Sequence, residues 1–408
     1  MPSFNSLIGL PLRYKLWRAS HLQLIGADFL GGESPEQTSH QRHLEATIEW
    51  ICRAQDQRDN HPDAGGVSAG WSFEDSWLPG YPETSGYIVE TLLAASRLLD
   101  RDDLVQRVHR ILNWECELQQ ADGAFPGHFG EPGSKPVIFN TGQIMHGMVA
   151  GYLELGRHEC LEAAVRAGHW MLASQDTDGC WRRNVHNGIP HTYNTRAAWA
   201  LLRTGILAGE KRFIDGATRN MEWACGRATE SGWFQDNAFQ KSESPFTHNI
   251  AYAMRGLLEG GILLSEQKFV DAAAKAAKAL LLTQHENGWI AGEFADAWRP
   301  TGRYVCLTGL AQIGLNWQRL QHAGVSGDWQ TGIDRAIGFL KSHHHILGDG
   351  SPRDGGLAGS FPIWGRYSRF EYPNWAAKFF ADLLIMAVST EVVPAPVRQD
   401  NRLCAGGS

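Results

Sequence analysis

Three short runs in this 408-residue chain place acids, bases and amides where helices should begin. His191, Tyr193, Asn194 and Arg196 are the densest of them. A lyase or C5-epimerase acting on a uronic acid must remove the proton beside a carboxylate. It needs a cation or amide to hold that carboxylate, a base and an acid. Arg196 or Asn194 suits the first role, and His191 or Tyr193 the others. The same residues also suit a helix start, with His191 and Asn194 as caps and Tyr193 in the core. His248 and Asn249 supply a second imidazole and amide one repeat later. A glycosidase would instead need two carboxyl groups, about 5 Å apart for retention and farther for inversion. The carboxyl candidates are Glu74, Asp75, Glu83, Asp236, Glu293, Asp296, Asp354 and Glu371. Glu83 is the best placed, between Pro82 and Thr84 at a helix start, though a carboxylate there also answers the helix dipole. The sequence pairs it with no partner.

These runs belong to a repeat of about 55 residues, and such a period must be read before the fold is assigned. Each copy holds an amphipathic stretch, a Gly- and Trp-rich loop, and a polar cluster that opens a second, more apolar stretch. The clusters are Glu83–Tyr87, Asn140–Gln143, His191–Arg196, Thr247–Asn249, Thr301–Tyr304 and Tyr372–Trp375. Amphipathic stretches end on Gln55, Gln119, Gln175 and Gln284, followed by turns such as Asp122-Gly123, Asp178-Gly179 and Asn287-Gly288. Asp-Gly and Asn-Gly supply the positive φ that turns the chain. Charged first helices face solvent and apolar second helices are buried. The expectation is therefore an all-α (α/α)6 toroid, a single domain over residues 1–390 with a flexible tail at 391–408. Inner-helix N-termini, which favour anions, then meet at one mouth. Loops of about 15 to 25 residues precede them, and loops that long are commonly functional.

Composition narrows the partners. The net charge is −7 and no basic stripe exists, which argues against nucleic acid. No apolar run is long enough for a membrane span. The seven cysteines show no paired framework, which fits a reducing compartment and a cytoplasmic protein, and no signal peptide is evident. The 16 tryptophans are a surplus that suits either ring-stacking walls around a ligand or gap-filling between helices. Trp71, Trp77, Trp181, Trp233, Trp289, Trp298 and Trp364 fall in the loops before inner helices. Arg299, Arg303 and Arg353 add positive charge suited to an acidic glycan.

Gln175-Asp176-Thr177-Asp178-Gly179-Cys180-Trp181 resembles the repeat of squalene–hopene cyclases and protein prenyltransferase toroids, and Gln284 to Trp289 is a looser copy. That resemblance implies the toroid. Asp100-Arg101-Asp102-Asp103 matches the D-x-D-D pattern of the cyclases, but it begins an outer helix, where aspartates serve as caps. The prenyltransferases hold zinc through Asp, Cys and His; Asp296 and Cys306 are in range, but no D-x-C pair occurs. His343-His344-His345 is read as surface. The chain is also similar to an uncharacterised bacterial family of toroid proteins from exopolysaccharide gene clusters, over about residues 75 to 385. The carriers are Gly80–Tyr87, Phe139–Gln143, Pro190–Arg196 and Tyr372–Lys378. This resemblance implies a carbohydrate context without a settled reaction, and many polysaccharide lyases, uronyl hydrolases and sugar epimerases share the toroid.

The expectation is thus an enzyme of acidic, uronate-containing oligo- or polysaccharides, acting by elimination or hydrolysis. The catalytic candidates are His191, Tyr193, Asn194, Arg196, Glu83 and His248. The substrate-binding candidates are Asn140, Asn249, Trp71, Trp181, Trp233, Trp289, Arg299, Tyr304, Tyr372 and Asn374. No motif demands a metal or other cofactor, and the oligomeric state stays open. The alternatives are a terpenoid cyclase or prenyltransferase-like enzyme, and a non-catalytic glycan-binding toroid.

Overall fold

The computed structural model describes residues 4–30, 38–131 and 133–392; beyond its first two positions, the tail expected to be flexible lies outside them. Two helices, α1 (Phe4–Arg13) and α2 (Ala19–Leu30), precede six helical hairpins. The hairpins are α3 (His40–Asp56) with α4 (Pro82–Leu99), α5 (Asp103–Leu118) with α6 (Ile138–Leu155), and α7 (His158–Ser174) with α8 (Thr195–Ala208). Then follow α9 (Lys211–Cys225) with α10 (Thr247–Leu264), α11 (Gln267–Thr283) with α12 (Leu307–His322), and α13 (Trp329–Ser342) with α14 (Asn374–Val392). The second helix of each pair packs on the second helix of the next, and α14 returns to α4. The chain is therefore an (α/α)6 toroid, as expected.

Sequence pattern explains the two rings. In α5 the buried residues are Leu104, Val108, Ile111, Leu112, Trp114 and Glu115, one stripe at helical spacing, so one face stays in water. In α10 the buried set includes an unbroken run from Thr247 to Met254, so the helix has neighbours on all sides.

The repeated glutamine has a mechanical role. Gln175 Nε2 donates to Gly179 O at 3.0 Å, within its own turn, and to Gly216 O at 2.9 Å, on the next outer helix. Gln119 does the same with Gly123 O and Ala163 O, and Gln55 with Gly65 O and Arg107 O. In the turn, Asp178 Oδ1 accepts from Cys180 N at 3.1 Å, and Gly179 has a φ of 85°. A Cβ at Gly179 would also collide with the Arg219 carbonyl, so this turn needs glycine twice over.

The structure departs from two expectations. The Thr301–Tyr304 cluster does not open an inner helix. The hairpin β3 (Phe294–Ala295) and β4 (Arg299–Pro300) is inserted before it, and α12 starts at Leu307 with the Cys306 sulfur accepting from Gly309 N. His344 is not surface but 2% exposed. Its Nδ1 lies 2.8 Å from His43 Nδ1 and its Nε2 3.1 Å from Thr47 Oγ1, at the seam where α3 meets the last hairpin. Among the described residues no helix is long and apolar enough to cross a membrane, and the six described cysteines are free thiols.

The clamp makes a stability prediction. Gln175→Ala removes two hydrogen bonds and strands two carbonyls, so it should lose about 2–4 kcal/mol in urea unfolding. The exposed Gln57→Ala should stay within about 0.5 kcal/mol of wild type. Equal stability of the two variants would refute the clamp.

Candidate active site

A cavity of about 990 Å³ opens at the N-terminal ends of the inner helices. Its wall is largely aromatic, with Tyr81, Tyr87, Phe139, Tyr193, Phe239, Phe246, Tyr252, Tyr367 and Trp375. Glu83, His186, His248, Asn249, Lys135 and Arg366 interrupt that wall. Glu83 is the single carboxyl residue lining it among the described residues.

Glu83 lies in the first turn of α4, behind Pro82 at the helix start. The helix dipole favours its anion, but burial wins and pushes the carboxyl up to about 7; the Tyr81 hydroxyl and the Arg196 charge pull it partly back. Tyr81 Oη donates to Glu83 Oε2 at 2.8 Å. Behind that pair runs a chain of polar groups. Tyr193 Oη lies 2.9 Å from His186 Nδ1, and His186 Nε2 lies 3.0 Å from Asn140 Oδ1. Asn140 Nδ2 reaches Tyr81 Oη at 3.5 Å, the longest link. Burial pushes the His186 imidazole down to about 3, so the ring is neutral. Since the Asn140 oxygen can only accept, the single ring proton sits on Nε2, and Nδ1 accepts from Tyr193.

His248 opens α10, which stands opposite α4 in the ring of six inner helices. Its Nδ1 donates to Gln312 Oε1 at 3.0 Å, leaving the lone pair on Nε2. Burial, with a smaller contribution from Arg196, pushes this imidazole down to about 3. Next to it, Asn249 Oδ1 accepts from Phe246 N at 3.2 Å, while its buried Nδ2 has no partner.

The dense His191–Arg196 run is split by the structure. Tyr193 faces the cavity. His191 lies behind it, stacked on the Tyr193 ring at 4.5 Å, with Nε2 donating to His186 O. Asn194 is buried at the start of α8 and lines no part of the cavity. Arg196 points below the floor, where Nε donates to Gln143 Oε1 and the guanidinium lies over Trp199, Tyr252 and Phe379. It lines a separate void of about 40 Å³ with Glu90, Lys378 and Asp382.

Most expected binding residues serve the frame instead. Trp71 pairs within a small sheet and packs on Phe73, because β1 (Gly70–Ser72) lies between β2 (Ser76–Trp77) and β5 (Glu371–Pro373). Tyr372 is the β5 residue opposite it. Trp181 is buried with Nε1 donating to Met171 O, and Trp233 packs edge-on to Trp298. Tyr304 Oη donates to Glu293 Oε1, and Asn374 Nδ2 ties Ser68 O to Thr84 Oγ1. Trp289 and Arg299 lie on an outer patch, apart from the cavity. Asn140 reaches the site through His186 and Tyr81. Asp100 to Asp103 sit at the α4–α5 junction, the opposite end of α4 from Glu83.

Sequence reasoning missed Tyr81, His186, Tyr252, Arg366, Tyr367 and Trp375. Tyr87 and Tyr252 were within reach, one helical turn after Glu83 and His248 on the same face. His186 carries no such signal; it sits in an irregular turn between the left-handed residues Asn184 and Asn187.

No protein-family model matches the chain, and no curated protein does. Solved structures do. The unsaturated glucuronyl hydrolase of Bacillus sp. GL1, described as responsible for glycosaminoglycan degradation, aligns over 85% of this chain and 96% of its own, with TM-score 0.65 and 14% identity. The cellobiose 2-epimerase of Bacillus thermoamylovorans aligns over 85% and 97%, with TM-score 0.67 and 11% identity. A polysaccharide lyase aligns over 88% and 100%, with TM-score 0.63 and 12% identity. At these identities the likeness establishes the shared fold.

The buried carboxyl predicts a pH-dependent stability difference. Glu83 keeps its proton to about pH 7 when folded, against 4.5 as its ordinary value. Its burial is free of penalty below the unfolded pKa, and stability is lost as pH rises through the folded one. At about 1.4 kcal/mol per unit, Glu83→Gln should gain about 3 kcal/mol over wild type between pH 4 and pH 8. A stability difference that stays flat over that range would refute a protonated Glu83.

Proposed function

We propose that the cavity is the active site of a carbohydrate-active enzyme that hydrolyses an acidic, uronate-containing oligo- or polysaccharide, with Glu83 as proton donor. The observation that carries this reading is Glu83, a buried carboxyl held protonated near neutral pH, across the ring from the neutral His248 imidazole. Aromatic walls suit the faces of sugar rings, and Lys135 suits a substrate carboxylate. The fold shared with unsaturated glucuronyl hydrolases adds support.

One carboxyl suits one class of substrate best. A saturated glycoside calls for two carboxyl groups about the bond. An unsaturated uronyl residue is an enol ether, and it calls for one proton. Glu83 gives its proton to the ring alkene carbon, and the resulting oxocarbenium ion collects water. The water's second proton returns to the Glu83 carboxylate, and the hydrated ring opens and releases the attached sugar. Tyr81 holds Glu83 in place, and the unpartnered Asn249 amide is free to bind a hydroxyl or carboxylate.

A second reading is elimination from a saturated uronate. It is favoured by the His248 tautomer, which presents the Nε2 lone pair as a base, with Glu83 protonating the leaving oxygen.

Mass spectrometry of products from unsaturated and saturated acidic oligosaccharides tests both. Fragments summing to substrate plus water are expected; fragments summing to substrate alone would establish elimination instead. Glu83→Gln should lower kcat about 10²- to 10⁴-fold. kcat/KM should fall as pH rises past about 7, because the donor must be protonated. Wild-type turnover in Glu83→Gln would remove the assignment.

A further inference from the structure

A second group of aromatic and cationic side chains lies outside the cavity, in a cleft of about 520 Å³. Trp289 forms one wall, half-buried, with its ring 4.8 Å from His285. Arg299, Thr301 and Arg303 form the other, all exposed. Nearby arginines of the mouth loops are matched: Arg182 to Asp176 and Asp178, Arg227 to Asp236, Arg366 to Glu243 and Glu293. Among the described residues, Arg299 and Arg303 meet no carboxylate, so two guanidinium groups remain open beside an indole face.

The frame under this cleft is fixed. Arg299 belongs to β4, paired to β3 through Ala295. Trp298 is held by Trp233 and by its Nε1 bond to Ser231 O at 2.9 Å. Thr301 N donates to Glu293 O at 3.0 Å. The Glu293 side chain in turn holds Arg366, a wall residue of the cavity, at 2.8 Å. One residue thus ties the outer cleft to the active-site wall.

We propose that Trp289, Arg299 and Arg303 form a second saccharide site, which holds an acidic polysaccharide outside the catalytic cavity. The class of ligand rests on the proposed function; the site itself rests on this cleft. The indole stacks on a sugar ring, and a guanidinium takes the uronate carboxylate by paired hydrogen bonds. No competing carboxylate must first be displaced.

The test is binding of sodium polygalacturonate, with neutral dextran as control, read by affinity electrophoresis and calorimetry. Wild type should bind the polyuronate and not dextran, and more weakly from about 0.05 to 0.5 M salt. Trp289→Ala, and separately the double variant Arg299→Ser/Arg303→Ser, should each raise Kd about tenfold or more with thermal unfolding unchanged. Wild-type affinity in both cleft variants, equal binding of dextran, or no polyuronate binding at all would overturn the second site. Cleft-dependent binding by a wild type that turns over no acidic saccharide would sink the catalytic reading and leave the second site standing.

Discussion

A glutamine amide that holds two backbone carbonyls at once is the constraint on which this ring depends. Each clamp joins the turn after one outer helix to the body of the next, so the angle between successive hairpins is set at one atom, Nε2. A primary amide suits the task because it offers two N–H donors without a charge to desolvate. The turn glycine works with it, as Gly179 does by lying against the Arg219 carbonyl. Gln284 keeps the link, donating to Gly332 O. The closing seam uses other groups. Trp50 Nε1 donates to Pro352 O at 2.7 Å, Arg53 reaches Asp354 O, and His344 meets His43 and Thr47. These contacts join residues some 300 positions apart, so the last hairpin must complete the ring against the first.

Ring closure decides what the centre can hold. Six inner helices present their N-termini at one end, while their polar side chains deeper down face the axis. There the charges are matched: Arg203 with Glu90, Arg255 and Arg319 with Glu259, and Lys378 with Asp382. Unmatched, any one of them would cost several kcal/mol. Together with Arg196, packed among three aromatic rings, they crowd the axis around the small void below Tyr252. The cavity is consequently a cup. Glu83 and His248 line it near the mouth, which the loops preceding the inner helices surround.

The toroid was legible because its determinants are local: a helical stripe, a glutamine, an Asp-Gly turn and an apolar helix, repeated. Glu83 and His248 were legible because they occupy helix starts in that repeat. The His191–Arg196 run misled because adjacent residues at a helix start point in different directions. Tyr193 takes the cavity side, His191 stacks behind it, and Arg196 turns below. Tryptophans misled for a related reason. A loop position does not distinguish a ring that faces the cavity from one, such as Trp181 or Trp71, that plugs the loop itself. Tyr304 failed through register, because the β3–β4 hairpin displaced its cluster from the helix start. His186 was illegible because a turn outside the repeat delivers it.

The polar chain behind Glu83 has a direction, and the direction bears on the chemistry. Asn140 fixes it, since its oxygen faces His186 and its amide nitrogen faces Tyr81. With Oδ1 accepting, His186 carries a proton on Nε2, and because burial keeps the ring neutral it accepts the Tyr193 hydroxyl at Nδ1. With Nδ2 donating, Tyr81 receives a hydrogen bond and is free to give its own proton toward Glu83 Oε2. A protonated Glu83 then carries its proton on Oε1, the oxygen that Tyr81 leaves free. Reversal of the amide would turn every donor in the chain into an acceptor and would draw the carboxyl proton back toward Tyr81. The Glu83 carboxyl is therefore oriented by an uncharged side chain two links away, on α6, which the clamp at Gln119 positions relative to its neighbouring hairpin.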